Sequence, residues 1–143
     1  MGIKKLNILI LCVFSWMWSS TVFANSAEAE GCIQTKTWTH YDAGWSLRTF
    51  SVNEIKNGEF ESFSATFYGG REYLVEACGD SAAQNVDLVL FDRKGQQIAR
   101  ADGTSREPML TYKPDKTTNL FIVTHLRSTS GAGSDVALAI LYR

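Results

Sequence analysis

At 143 residues, with two prolines and no Gly/Ser-rich linker, the chain suits one domain with its own core and is too short for two. Its 14 Lys and Arg against 15 Asp and Glu leave a formal net charge of −1. That balance gives no basis for nucleic acid or an anionic membrane as partner.

Residues 1–24 have the three parts of a secretory leader. Lys4 and Lys5 form its charged start, Leu6 to Trp18 its apolar run, and Val22-Phe23-Ala24 an A-x-A-like cleavage site before Asn25. The run falls short of the roughly 20 residues that a spanning helix needs. Ala29-Glu30-Gly31-Cys32 places a Glu where a lipidation signal needs an apolar residue. The expected product is therefore residues 25–143, exported to the periplasm or the medium without membrane insertion. Loss of Lys4 and Lys5 leaves 12 basic against 15 acidic residues, a net charge of −3. Cleavage also removes Cys12 and leaves Cys32 and Cys78. Two cysteines in an oxidising compartment most simply form a disulfide. Such a bond is worth about 4 kcal/mol in the chain-entropy model. Two free thiols or two metal ligands are the alternatives, but the pair lacks CxxC spacing and a nearby His.

In chain order, residues 25–46 form an extension that reads as a short helix or an irregular segment. Ile33, Thr37, Tyr41, Gly44 and Trp45 fall near one helical face, and Ser26, Glu28 and Glu30 suit a helix start. Its threonines and aromatics pull toward strand. From there, short strands alternate with turn signals: Leu47–Val52, Phe60–Tyr68, Arg71–Cys78, Val86–Asp92, Gln97–Ala101, Pro108–Lys113, Leu120–Leu126 and Val136–Tyr142. Gly69-Gly70 reads as a two-residue hairpin loop. Arg93-Lys94-Gly95 and Asp102-Gly103 read as turns, and Ser128–Ser134 as a polar loop. Val86–Asp92 and Leu120–Leu126 are apolar on both faces, as central strands covered on both sides would be. Eight strands fill two four-stranded sheets, an all-β sandwich for which jelly-roll connectivity is expected.

The runs GGREYLVEACGD, DLVLFDRKGQQIA, PMLTYKP and LFIVTHL resemble bacterial pre-peptidase C-terminal domains, in particular small stand-alone exported forms. The resemblance covers about Phe60–Tyr142. It implies an eight-stranded jelly-roll sandwich that is non-catalytic. The family is usually appended to secreted peptidases, and no peptidase domain accompanies this one. The first Asp of the family's D-x-D pair is Asn85 here, which leaves Asp87 alone and weakens the implied calcium site.

Asp80, Asp87, Asp92 and Asp102 are the weak calcium candidates, since they lie near strand ends where loops bring oxygens together. Turn chemistry explains Asp92-x-x-Gly95 and Asp102-Gly103 equally well, and no cofactor is expected. His40 and His125 are the only histidines. Without a G-x-S-x-G elbow they read as structural rather than as triad members. Glu59/Glu61 and Glu72/Glu76 are spaced as paired carboxylates but flank turns, where such pairs are normally solvated. Trp38, Tyr41, Trp45 and Tyr68 are the candidate ligand-binding aromatics, unless they cover the end of the sandwich as core. Together these readings point to a non-catalytic exported binding or interaction module whose partner is a protein or polysaccharide of the cell envelope. A carbohydrate-binding module is the alternative, and a small secreted hydrolase a distant one.

Overall fold

The computed structural model describes residues 24–101 and 104–143. The expected leader up to Phe23, and the Asp102-Gly103 turn with its calcium candidate Asp102, lie outside the described residues. One helix, α1 (Ser26–Asp42), precedes eight strands: β1 (Ser46–Lys56), β2 (Phe60–Phe67), β3 (Tyr73–Gly79), β4 (Ala83–Phe91), β5 (Gln97–Ala101), β6 (Met109–Tyr112), β7 (Thr118–Thr129) and β8 (Gly133–Tyr142).

The strands form two antiparallel four-stranded sheets, in the orders β1-β8-β3-β6 and β2-β7-β4-β5. Of the consecutive strands only β4 and β5 pair with each other; every other connection crosses between sheets. That alternation is the double Greek key of a jelly roll. The one local hairpin is tightened by Asp92, whose Oδ1 accepts from Lys94 N and Gln96 N, both at 2.8 Å. This is the turn chemistry its D-x-x-G spacing implied.

The hairpin expected at Gly69-Gly70 is instead a crossover, because β2 and β3 lie in different sheets. Gly70 N donates to Pro114 O at 2.8 Å, so the corner is closed by the β6–β7 connection rather than by its own flanking strands. A side chain at position 69 would put its Cβ 2.9 Å from Asp115 O. The glycine therefore marks a close backbone approach, not a hairpin turn.

The core lies between the sheets. β4 and β7 are central in the second sheet, as expected, and contribute Val86, Leu88, Leu90, Leu120, Ile122 and Leu126. Tyr73, Val75, Leu138 and Ile140 of the first sheet pack against them. Fully burying one such side chain stabilises the fold by about 1.5–3 kcal/mol. The expectation that both faces of β4 and β7 are covered holds inward and, on the outward face, at Asp87 and Val89 of β4, but not along β7. On the outward face Phe121 is exposed, and Phe91 and Val123 are only partly buried. Several strands run past their apolar segments: β1 continues to Lys56, and β7 and β8 reach to Thr129 and Gly133, so the expected Ser128–Ser134 loop shrinks to a tight turn. Polar ends of strands pair through backbone groups, which the hydropathy pattern does not register.

The outer face of the first sheet is covered by α1. Asn25 caps the helix by accepting from Glu28 N at 3.3 Å. Thr35 and Thr39 bond back to Gly31 O and Thr35 O, which lets strand-favouring threonines sit in helical turns. Ala29 and Ile33 are buried, and pack with Leu74, Cys78, Ala137, Ala139 and Leu141 in a second apolar cluster. The small side chains of Ala137 and Ala139 on β8 face this cluster. The docked face runs through positions 29, 32, 33, 36 and 40, one step round from the expected Ile33/Thr37/Tyr41 face, and Tyr41 is exposed. A Cys32–Cys78 disulfide staples the helix to β3.

Candidate functional site

Beside the covered cluster, α1 and β1 leave an open groove of about 690 Å³, lined by Ile33, Gln34, Thr37, Trp38, Tyr41, Ser46, Leu47 and Phe50. Its position follows from helical periodicity. With 29, 33, 36 and 40 turned toward the sheet, 34, 37, 38 and 41 fall on the neighbouring stripe above β1. Trp38 is 69% exposed, Tyr41 60%, Phe50 44% and Leu47 41%. Four large apolar side chains in one groove are more than the singly scattered exposure ordinary on protein surfaces.

The structure divides the four expected aromatics. Trp38 and Tyr41 meet edge to face, 6.0 Å apart with planes at 75°. They frame a cleft rather than a flat platform. Trp45 is core, only 6% exposed, with the Arg143 guanidinium 4.4 Å over its ring. Tyr68 is exposed in a separate depression with Arg48, which lies 5.8 Å over its ring.

Behind the groove, Glu76 sits on the outward face of β3 beneath α1, only 1% exposed. Lys36 Nζ lies 2.9 Å from its Oε1 and His40 Nε2 2.9 Å from its Oε2. Lys36 also reaches Glu107 at 3.2 Å. Burial alone pushes the Lys36 ammonium down, but hydrogen bonds and charge from Glu76 and Glu107 outweigh it and hold the group above the usual lysine range. The expectation that the Glu72/Glu76 pair is solvated is thus wrong for Glu76. Glu72 pairs with Arg143 at 2.8 Å instead. Lys36 and His40, four apart on a helix, with an acidic residue at an outward strand position, were the available signal. Only the packing of α1 shows that they meet.

The three calcium candidates among the described residues, Asp80, Asp87 and Asp92, lie apart. Asp80 is fully buried and accepts four backbone N–H bonds: Asn25 and Asp135 on Oδ2, Ala82 and Ala83 on Oδ1. It ties the helix start, the β3–β4 turn and β8 into one corner. Asp92 holds its turn at the opposite end of β4, about 30 Å along the strand. Asp87 lies midway, on the outer face of the second sheet, with Arg100 at 2.8 Å and Arg127 at 3.1 Å on Oδ2. Cys32, Cys78 and Glu107 are the one group among the described residues close enough to share a metal. The two sulfurs are bonded to each other, which removes them as thiolate ligands.

His40 spends Nε2 on Glu76, while His125 stands on the outer face of the second sheet with Nε2 3.2 Å from Gly58 O. Glu59 and Glu61 are both exposed. A disulfide is a feature of oxidising compartments, and no helix among the described residues is long and apolar enough to cross a membrane. No protein-family model and no curated protein matches the chain.

Proposed function

We propose that this chain is a non-catalytic binding module of the pre-peptidase C-terminal type, exported to the periplasm or the medium, that docks a protein of the cell envelope through the α1–β1 groove. The observation that carries the reading is the exposure of Trp38, Tyr41, Leu47 and Phe50 around one groove of about 690 Å³. Aromatic side chains offer large contact area for little entropy lost, and they dominate the energetics of protein interfaces. The crossed ring planes of Trp38 and Tyr41 favour a knob-like side chain over a stacked sugar at this groove. A non-catalytic role is supported by the histidines, both of which serve structural contacts.

The test is site-directed photo-crosslinking in the native host. A photoreactive residue in place of Trp38 or Phe50 is expected to trap one discrete protein adduct, and the same residue in place of exposed Lys94 none. No adduct from either groove position, or equal labelling from Lys94, overturns the reading.

A further inference from the structure

The outer face of the second sheet carries a different surface. Register places side chains in cross-strand rows: Phe60–His125–Asp87, then Ser62–Val123–Val89–Arg100, then Ser64–Phe121–Phe91–Gln97. Rows lie about 6.8 Å apart and strands about 4.8 Å apart. At the surface of the two central strands stand Val123, Phe91 and Phe121, an apolar strip about one pyranose ring wide, with Val89 buried among them. Serines flank it on β2, and Arg100 and Gln97 on β5. Val123 and Phe91 of the strip, together with exposed Phe60, line a depression of about 480 Å³.

One end of this depression is polar and built. Asp87 is 1% exposed, its Oδ2 holds Arg100 and Arg127, and His125 Nδ1 lies 4.0 Å from the same oxygen. Its other oxygen, Oδ1, is buried with no hydrogen-bond partner among the described residues. Such an acceptor is costly to leave unmade and is rare in native folds. Arg127, half exposed, gives Nη1 to Asp87, which leaves further guanidinium donors for a second oxyanion. Arginines outnumber carboxylates two to one among the lining side chains, in a chain of net charge −1.

We infer that this face binds an acidic polysaccharide, one uronate carboxylate resting on Arg127 and the C–H face of the ring on Val123, Phe91 and the neighbouring exposed Phe60. A sugar fits better than an acidic peptide. A peptide laid across a sheet face buries backbone N–H and C=O groups against apolar side chains, where they find no partners. A pyranose turns its C–H face down and its hydroxyls sideways, toward the serine and Gln97 rims. The site is independent of the α1–β1 groove, on the other side of the sandwich.

The experiment is calorimetric titration of the exported protein with oligogalacturonate, with a neutral cello-oligosaccharide of equal length and with a polyglutamate peptide. Oligogalacturonate is expected to bind saturably and to weaken as salt rises; Arg127→Gln should weaken it about tenfold or more. Phe60→Ser should weaken it too while melting normally, since Phe60 is exposed, and Trp38→Ala should leave it unchanged. Several outcomes overturn the inference: no saturable binding, equal binding of the neutral sugar, tighter binding of polyglutamate, or indifference to Arg127→Gln. Loss with Trp38→Ala alone would move the ligand to the groove.

Discussion

Glu76 and Asp87 invite comparison. Each is a carboxylate 1% exposed on the outward face of a strand and met by basic side chains: Lys36 and His40 on Glu76, Arg100, Arg127 and, at 4.0 Å, His125 on Asp87. They differ in where the basic groups come from. Lys36 and His40 belong to α1, so Glu76 joins the helix to the first sheet. Arg100 and Arg127 belong to β5 and to the segment of β7 beside Asp87, so Asp87 organises its own sheet and anchors nothing from outside it. One outer face is thereby closed, with a second apolar cluster beneath the helix. The other stays open, with aromatic and aliphatic side chains at the surface. A buried ionic group is thus no sign by itself of a covered surface; what it bonds to decides.

The largest effect expected from this contrast comes from the staple. Replacing Cys32 and Cys78 by Ser opens a loop with a sequence separation of 46 and should cost about 4 kcal/mol by chain entropy. Hydrogen exchange should rise in α1 and β3 far more than in β4 and β7. Uniform acceleration would show that the helix is not a separable layer. Next, Leu88→Ala, inside the sandwich, should cost about 2–5 kcal/mol in denaturant unfolding, while Phe121→Ala on the open face should cost less than about 1 kcal/mol. Similar losses at both would mean that the second outer face is packed as tightly as the core.

The carboxylates themselves should separate by a smaller margin. Glu76→Ala leaves Lys36 and His40 facing a buried gap and should cost about 1.5–3 kcal/mol. Asp87→Ala frees partly exposed arginines to hydrate and removes an unpartnered buried oxygen, so a loss below about 1 kcal/mol is expected. Reversal of that order would break the comparison. Calcium should not alter it, since Asp80, Asp87 and Asp92 lie apart, and Asp80 and Asp92 are spent on backbone N–H groups. Melting in millimolar calcium and in excess chelator is expected to agree within about 2 °C, against the roughly 10 °C that a site saturated a hundredfold would add.

The smallest effect concerns Asp135, next to buried Asp80. Burial pushes its carboxyl above the usual carboxylate range, and the charges of Asp80 and Glu54 push it the same way. A carboxyl raised in the folded state binds its proton there before it does so unfolded. Its charge therefore costs stability above the folded value, and that cost fades as pH falls toward the unfolded one. Asp135→Asn should raise Tm by about 1–3 °C at pH 7 and by progressively less toward pH 4. A gain that grows on acidification would contradict the assignment.

The residues by themselves determined a good deal of this protein. Period-two alternation and turn residues located eight strands in the right order. They also identified the central position of β4 and β7 and the Asp92 turn, because side-chain alternation and Asx-type bonding act over a few residues. Pairing Cys32 with Cys78 needed only the cysteine count and the expected compartment. Tertiary structure decided the rest. Gly69-Gly70 resembles a hairpin until the β6–β7 connection is seen against it. Trp38 and Trp45 are both tryptophans near one helix end, yet one borders a groove and the other lies beneath Arg143. Glu76 is buried because α1 lies across it, and Asp87 is buried by arginines from its own sheet. Each of these depends on contacts between residues distant in the chain, and an alternation pattern sets which face a side chain takes without setting what will cover that face.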